Sequence, residues 1–160
     1  MIHAGERAPE FTLPDETGTD RSLTELLRVE ALVLYFYPAD FTPGCTRQAC
    51  SIRDLYSEVL RVGLTVAGIS PQKSARHFEF RERYKLPFTL LSDPDKSVIR
   101  MYDVDGPLGF GVRRATFLID PARFISILHY DGTPITARFI TSAIAERINA
   151  SKPKAKEAAE

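Results

Sequence analysis

Short apolar runs along the chain predict the strands of a sheet. They span residues 31–36, 64–69, 88–91, 116–119 and 124–128. The runs are short and rich in β-branched and aromatic residues, which is typical of buried strands. The last two are joined by the turn Asp120-Pro121-Ala122, a composition that favours a tight connection between neighbouring strands.

Helical segments alternate with these strands. They are predicted over residues 46–60, 74–84, 92–102 and 136–149. Ser22 and Glu25 match a capping box, which predicts a short helix that runs to about Arg28. Strands and helices in this order form an α/β architecture, with helices on both faces of a mixed sheet.

Each end of the chain carries an extra segment. Residues 10–13 alternate like a strand, residues 14–19 have the composition of a turn, and residues 20–21 begin a return strand. Together they predict an N-terminal β-hairpin. The stretch 151–160 is rich in lysine and alanine and has little to bury, so we expect a disordered C-terminal tail. Residues 1–150 then form a single domain.

Charge and composition exclude several classes of protein. The 160 residues carry 21 basic and 21 acidic side chains, so we expect neither a nucleic-acid surface nor a membrane surface. No apolar run is long enough to cross a bilayer. The first residues also lack the pattern of a signal peptide, so a cytoplasmic protein is expected.

The two cysteines are the strongest chemical signal in the chain. Cys45 lies where the strand at 31–36 ends and a helix begins, and Cys50 follows five residues later. The N-terminus of a helix favours an anion, so this position favours a nucleophilic thiolate. The alternative is that both are small buried apolar residues.

A metal site finds little support. Zinc needs four ligands, which are usually cysteine or histidine at close spacing. The only histidines, His3, His77 and His129, are isolated in the sequence and are expected to be surface or structural residues. No Ser-His-Asp set and no glycine-rich phosphate loop stands out. We therefore expect neither a metal nor an organic cofactor.

The segment around the cysteines resembles a known family. Pro38, Thr42 and Cys45 stand in the order P-x-x-x-T-x-x-C, which resembles the peroxidatic motif of peroxiredoxins. The longer string at 35–50 is similar to the bacterioferritin-comigratory branch, also called the Q type. Segment 86–93 resembles its L-P-F-x-L-L-S-D, and segment 114–120 resembles its R-x-[ST]-F-L-I-D. The resemblance implies a thioredoxin-like fold, with a central mixed β-sheet flanked by helices.

The resemblance also implies a role for each matched residue. Cys45 attacks the peroxide as a thiolate and becomes a sulfenic acid, and Cys50 resolves it as a disulfide. Thr42 brings a hydroxyl to the sulfur and peroxide, or else is only a helix cap or turn residue. Pro38 covers the pocket and keeps water off the sulfur, or else only ends the strand. Arg114 supplies a cation that stabilises the thiolate and the leaving oxygen.

Two details near the site stay open. Arg113 competes with Arg114, because neighbours on a strand point to opposite faces and only one can reach the sulfur. The spacing before Phe117 favours Arg114. Gln48 stands where glutamate is also common and is a candidate to orient that arginine. Gln72 stands where the family often has an acidic residue, which leaves a loop detail in doubt.

Three functions fit a reactive cysteine pair. A thioredoxin-like disulfide oxidoreductase would have Cys-x-x-Cys, whereas this chain has Cys-x-x-x-x-Cys. A thiol-based redox sensor would use the same peroxidatic cysteine without repeated turnover. The resemblance favours a thiol peroxidase that reduces hydrogen peroxide and small organic hydroperoxides. It implies recycling by thioredoxin or a similar thiol reductant, and we expect a monomer.

Overall fold

An antiparallel hairpin lies near the start of the chain. In this computed structural model, which describes residues 2–28 and 31–130, β1 (Thr12–Pro14) pairs with β2 (Asp20–Ser22). Asp15 closes the turn, because its Oδ1 accepts the amide hydrogens of Thr17 and Thr19 at 2.8 and 3.1 Å. The N-terminal hairpin predicted from the sequence is confirmed.

A short helix follows the hairpin directly. Ser22 Oγ accepts the amide hydrogen of Glu25 at 3.1 Å and caps α1 (Leu23–Leu26). A cap of this kind contributes about 1 kcal/mol, because it satisfies an amide that the helix leaves without a partner. The start predicted for this helix is confirmed.

The central sheet of the described chain has five strands. These are β3 (Ala31–Phe36), β4 (Leu64–Ser70), β5 (Thr89–Ser92), β6 (Ala115–Ile119) and β7 (Ile125–Tyr130). Their spatial order is β5-β4-β3-β6-β7. Strands β3, β4 and β5 run parallel, whereas β6 pairs antiparallel with β3 and β7 pairs antiparallel with β6. The predicted mixed sheet is confirmed.

The longer helices connect the strands. They are α2 (Pro43–Asp54), α3 (Tyr56–Arg61), α4 (Ser74–Tyr84) and α5 (Ser97–Met101). Helix α4 has the predicted bounds. It ends at Lys85, which takes a left-handed φ of 52° and turns the chain toward Leu86-Pro87.

Two helix predictions were wrong in their bounds. The segment predicted as one helix over residues 46–60 begins earlier, at Pro43, and breaks at Leu55, whose φ of −112° is not helical. After the break Tyr56 packs on Phe88, with ring centroids 5.9 Å apart, and this is a tertiary contact that local pattern does not predict. The helix predicted from residue 92 starts only at Ser97, because Lys96 has a left-handed φ of 60°.

Strand β3 is buried on both faces because its side chains alternate between two cores. Leu34 and Phe36 belong to the core that the hairpin, α1 and α5 cover. Val33 and Tyr35 belong to the other core, which lies under α2, α3 and α4. Cys45 is a member of this second core.

Some sequence predictions lie beyond this description. The helix predicted at 136–149 and the tail predicted at 151–160 fall outside the described residues. Among the helices that are described, none has the length and apolar character needed to cross a bilayer.

Candidate active site

Cys45 sits in the first turn of α2. Thr42 is the N-cap residue, and Pro43 occupies the first helical position, where its missing amide hydrogen has no cost. The cysteine follows two residues later and is only 2% exposed. Its sulfur therefore lies at the positive end of the helix dipole and out of bulk water.

Arg114 brings a cation directly to this sulfur. Its Nη2 donates to Cys45 Sγ at 2.9 Å, and its Nη1 donates to Gln48 Oε1 at 3.2 Å. Gln48 is itself buried, one turn further along α2. Because the Gln48 amide is neutral, it orients the guanidinium without cancelling the charge that acts on the sulfur. Of the two candidate arginines, Arg114 is the one that the structure brings to Cys45.

Arg113 points elsewhere. Its side chain is exposed, and its amide donates to the Val104 carbonyl at 2.8 Å. Both arginines precede β6 (Ala115–Ile119), so they differ mainly in which side of the backbone they leave. This makes Arg113 a natural control for the role of Arg114.

The other predicted residues lie close in the chain but differ in their contacts. Thr42 Oγ1 donates to the Ala39 carbonyl at 3.0 Å, and it makes no side-chain cap bond to the helix. Pro38 is half-buried, two residues beyond the end of β3. Cys50 lies on the same helix as Cys45 and is partly exposed, and both thiols are free.

The loop before α2 contains a strained residue. Phe41 has a φ of 65°, in the left-handed region, which costs an aromatic residue roughly 1–2 kcal/mol. Contacts with α4 offset this cost. The Phe41 ring lies 5.1 Å from the Phe80 ring and 6.1 Å from the Tyr84 ring, and the Arg76 guanidinium lies over it at 4.4 Å.

A buried polar cluster lies next to Phe41, and sequence reasoning missed it. Asp40 Oδ1 accepts from the Tyr37 hydroxyl at 2.6 Å, and Asp40 Oδ2 contacts His77 Nδ1 at 2.5 Å. The side chains of Asp40 and His77 are both 0% exposed. His77, predicted to be surface or structural, is therefore structural, and it is isolated only in the sequence.

The same loop is tied to the end of β4 by Gln72. The Asp40 amide donates to Gln72 Oε1 at 2.5 Å. The Ser92 hydroxyl donates to the Gln72 carbonyl, which ties this residue to β5 as well. Gln72, where the family often has an acidic residue, thus accepts a hydrogen bond from a backbone amide through a neutral side chain. That departure from the family pattern is the only signal of this contact in the sequence.

Two tyrosines share the low-dielectric space around the cysteine. Burial raises the pKa of Tyr37 well above its ordinary value, and Tyr35 and Asp40 add to the shift. Burial likewise raises the pKa of Tyr35, with further contributions from Asp40 and Cys45. Both hydroxyls therefore stay protonated at neutral pH, and Tyr37 acts as a donor to Asp40.

The sequence comparisons agree with this geometry. Residues 4–127 match the AhpC/TSA family. A Coxiella burnetii protein that carries the name peroxiredoxin bcp is 44% identical over 131 residues, which are 78% of this chain and 86% of that protein. The chain belongs to the peroxiredoxin family. This peroxiredoxin is therefore a thiol peroxidase, an oxidoreductase.

Solved structures confirm the fold of this peroxiredoxin. The crystal structure of peroxidoxin BcpB from Mycobacterium tuberculosis is 34% identical, with a TM-score of 0.83 over 96% of this chain and 100% of that one. The bacterioferritin comigratory protein of Xanthomonas campestris is 26% identical, with a TM-score of 0.74 over 88% of this chain and 90% of that one. The latter was solved in a study of its alkyl peroxide reduction. The thioredoxin-like fold and the Q-type resemblance are confirmed.

Substitution of Arg114 is expected to slow the oxidation of Cys45 far more than substitution of Arg113. Arg114→Ala should slow the oxidation of Cys45 by about 10²-fold, because it removes the cation that contacts Cys45 Sγ, and a fixed cation stabilises negative charge that develops at a reacting centre. Stopped-flow oxidation with hydrogen peroxide measures the rate, and Arg113→Ala is the matched control. Equal effects of the two substitutions would contradict the assignment of Arg114.

Proposed function

We propose that this peroxiredoxin reduces hydrogen peroxide and small organic hydroperoxides at Cys45. The observation that carries the proposal is the 2.9 Å contact from Arg114 Nη2 to Cys45 Sγ in a buried first turn of helix. A thiolate held there is a strong nucleophile, and the same guanidinium can stabilise the negative charge that develops on the leaving oxygen. The Xanthomonas campestris relative adds support for alkyl peroxides among the substrates.

The first step oxidises the sulfur by two electrons. The Cys45 thiolate attacks the oxygen that bears the peroxide hydrogen, so an S–O bond forms and the O–O bond breaks. Cys45 becomes a sulfenic acid, and the leaving oxygen departs as hydroxide or alkoxide and takes a proton from solvent. Arg114 remains positively charged throughout, because its guanidinium does not give up a proton near neutral pH.

We assign Thr42 to the orientation of the peroxide, and Pro38 to covering the pocket and keeping water off the sulfur. The hydroxyl hydrogen of Thr42 is engaged by the Ala39 carbonyl at 3.0 Å, so its oxygen remains free to accept a hydrogen bond. The natural donor is the O–H of the peroxide. Pro38, two residues beyond β3, adds an apolar ring and has no amide hydrogen that could donate to the sulfur.

The second step joins Cys50 to Cys45 and releases water. Along a regular helix, five residues give a rise of about 7.5 Å and a rotation of about 140°, which separates the two Cα atoms by about 8 to 9 Å. A disulfide needs Cα atoms within about 7 Å. Helix α2 runs continuously through both cysteines in the structure. We therefore propose that its first turns unwind after Cys45 is oxidised.

A dithiol of the thioredoxin type is the proposed reductant. Its thiolate would attack the disulfide and return both cysteines to the reduced state. A reducing compartment such as the cytoplasm supplies such thiols. Since both cysteines lie on one helix of one chain, the cycle needs no second copy, and we propose that the protein acts as a monomer.

The two cysteines are expected to have unequal roles. Cys45→Ser should abolish peroxide consumption in an assay coupled to thioredoxin, thioredoxin reductase and NADPH, because no other group attacks the peroxide. Cys50→Ser should consume about one equivalent of peroxide and then stop as a sulfenic acid that dimedone traps. Sustained turnover by the Cys45 variant would refute the proposed function. A single stoichiometric oxidation of the unmodified protein, with no turnover, would favour a redox sensor.

Trypsin offers a direct test of the disulfide, because Arg47 is exposed and lies between the cysteines. Cleavage there and at the flanking arginines gives peptides 29–47 and 48–53. After oxidation by peroxide, mass spectrometry should find these two peptides joined, and reduction should separate them. The Cys50→Ser protein is the control and should give no such pair. Two joined copies of peptide 29–47 would instead indicate a disulfide between chains.

A further inference from the structure

Tyr37, Asp40 and His77 form a buried cluster, which we call the anchor cluster. None of its contacts described above reaches the sulfur of Cys45. Asp40 lies between Pro38 and Thr42 in the loop before α2, whereas His77 lies on α4. Their contact therefore joins the peroxidatic loop to a helix 37 residues away in sequence. An anchor of this kind determines where the loop, and hence the start of α2, can lie.

The hydrogen atoms of the anchor cluster can be counted from its partners. His77 Nε2 lies 3.1 Å from the Leu91 carbonyl, which can only accept, so Nε2 carries a hydrogen. Asp40 Oδ1 accepts from Tyr37, which leaves Oδ2 and His77 Nδ1 to share one proton across 2.5 Å. Whether that proton is drawn on the ring or on the carboxyl, the Asp40–His77 pair carries no net charge.

Neutrality matters because Cys45 has to become an anion in the same buried space. Tyr35 and Tyr37 lie in the core that contains Cys45, and their rings stack with centroids 5.3 Å apart. Tyr37 also donates to Asp40 at 2.6 Å, so the anchor cluster borders the core in which Cys45 lies. Arg114 is the cation directed at the sulfur, and its other contact described above is to the neutral amide of Gln48. A second uncompensated anion in this space would oppose the thiolate.

We propose that Asp40 and His77 are positioning residues for the peroxidase reaction. Their shared proton anchors the strained loop that carries Pro38 and Thr42 to α4, and it does so without adding a negative charge near Cys45. The proposal rests on the proposed peroxidase function but does not assign either residue to the reacting atoms. Phe41, held by the Phe80 and Tyr84 rings, completes the attachment to the same helix.

A double-mutant cycle distinguishes this positioning role from a role in side-chain packing alone. All proteins in the cycle carry Cys50→Ser, so that the reaction with hydrogen peroxide stops after one oxidation. His77→Leu should slow that oxidation by about tenfold or more, a size typical of coupled neighbours, because it leaves the Asp40 carboxyl buried without its partner. Asp40→Asn should slow the oxidation less than His77→Leu does. The amide side chain of the introduced asparagine can accept from Tyr37 and donate to Nδ1 of a neutral His77.

The decisive comparison is His77→Leu in the two backgrounds. In the Asp40→Asn background no carboxyl is left to neutralise, so His77→Leu should slow the oxidation by about threefold or less. An equal cost in both backgrounds would overturn the proposal, because His77 would then act only through its shape. If the Cys50→Ser reference protein itself failed to react with peroxide, the proposed function would fail instead.

Loss of stability needs its own control. Ile99→Ala removes a fully buried side chain from the core on the opposite face of the sheet and should lower the melting temperature. It should leave the oxidation rate of the folded protein unchanged. A rate that tracked the melting temperature across all variants would overturn the positioning role.

A measurement on the unmodified protein keeps the proposal testable if His77→Leu does not fold. In nitrogen-15 NMR spectra of the reduced protein, the His77 ring should show a slowly exchanging hydrogen on Nε2. It should also show a strongly deshielded proton in the Nδ1–Asp40 contact. An Nε2 without hydrogen would contradict the shared-proton pair.

Discussion

The contact between Arg114 and Cys45 is the constraint on which the rest of the site depends. Cys45 is 2% exposed, so water would stabilise a thiolate there only weakly, and such a thiolate would depend on the helix dipole and on a nearby cation. The register of the sheet places Arg114, which carries that cation, near Cys45. Strand β6 runs antiparallel to β3 and pairs Ala115 with Phe36, which sets Arg114 beside the end of β3 where the loop to Cys45 begins. Two segments 69 residues apart in sequence thus meet at one atom.

The same site has to satisfy two opposing demands. The proposed attack on peroxide uses the ordered first turn of α2, in which Arg114 Nη2 lies 2.9 Å from Cys45 Sγ. Formation of the proposed disulfide requires that turn to open, because both cysteines lie on one regular helix. The anchor cluster and the rings around Phe41 attach the preceding loop to α4, not to α2. We therefore propose that the loop stays in place while the start of α2 moves.

The sequence alone predicted those features whose signals are local. Apolar runs marked the strands, Ser22 marked the start of a helix, and the cysteine spacing with Pro38 and Thr42 marked the peroxidatic segment. The spacing before Phe117 also favours Arg114 over Arg113. Each of these rests on residues within a few positions of one another, where periodicity, capping and motif spacing carry information.

The features that the sequence did not predict depend on contacts between distant segments. Asp40 and His77 lie 37 positions apart, and nothing in the pattern of either segment indicates a partner. The left-handed φ of Phe41 and the break at Leu55 involve neither glycine nor proline, so no local signal marks them. Both are stabilised by aromatic contacts with other elements, and tertiary packing of that kind overrides local propensity.

Amide hydrogen exchange tests the central claim most directly, which is that α2 is ordered for attack and opens for the disulfide. The reduced protein and the protein oxidised by one equivalent of peroxide should be compared residue by residue. We expect faster exchange over residues 42–53 in the oxidised form and unchanged exchange over α4, which serves as the internal reference. A disulfide-bonded protein whose exchange over residues 42–53 matched that of the reduced form would contradict it.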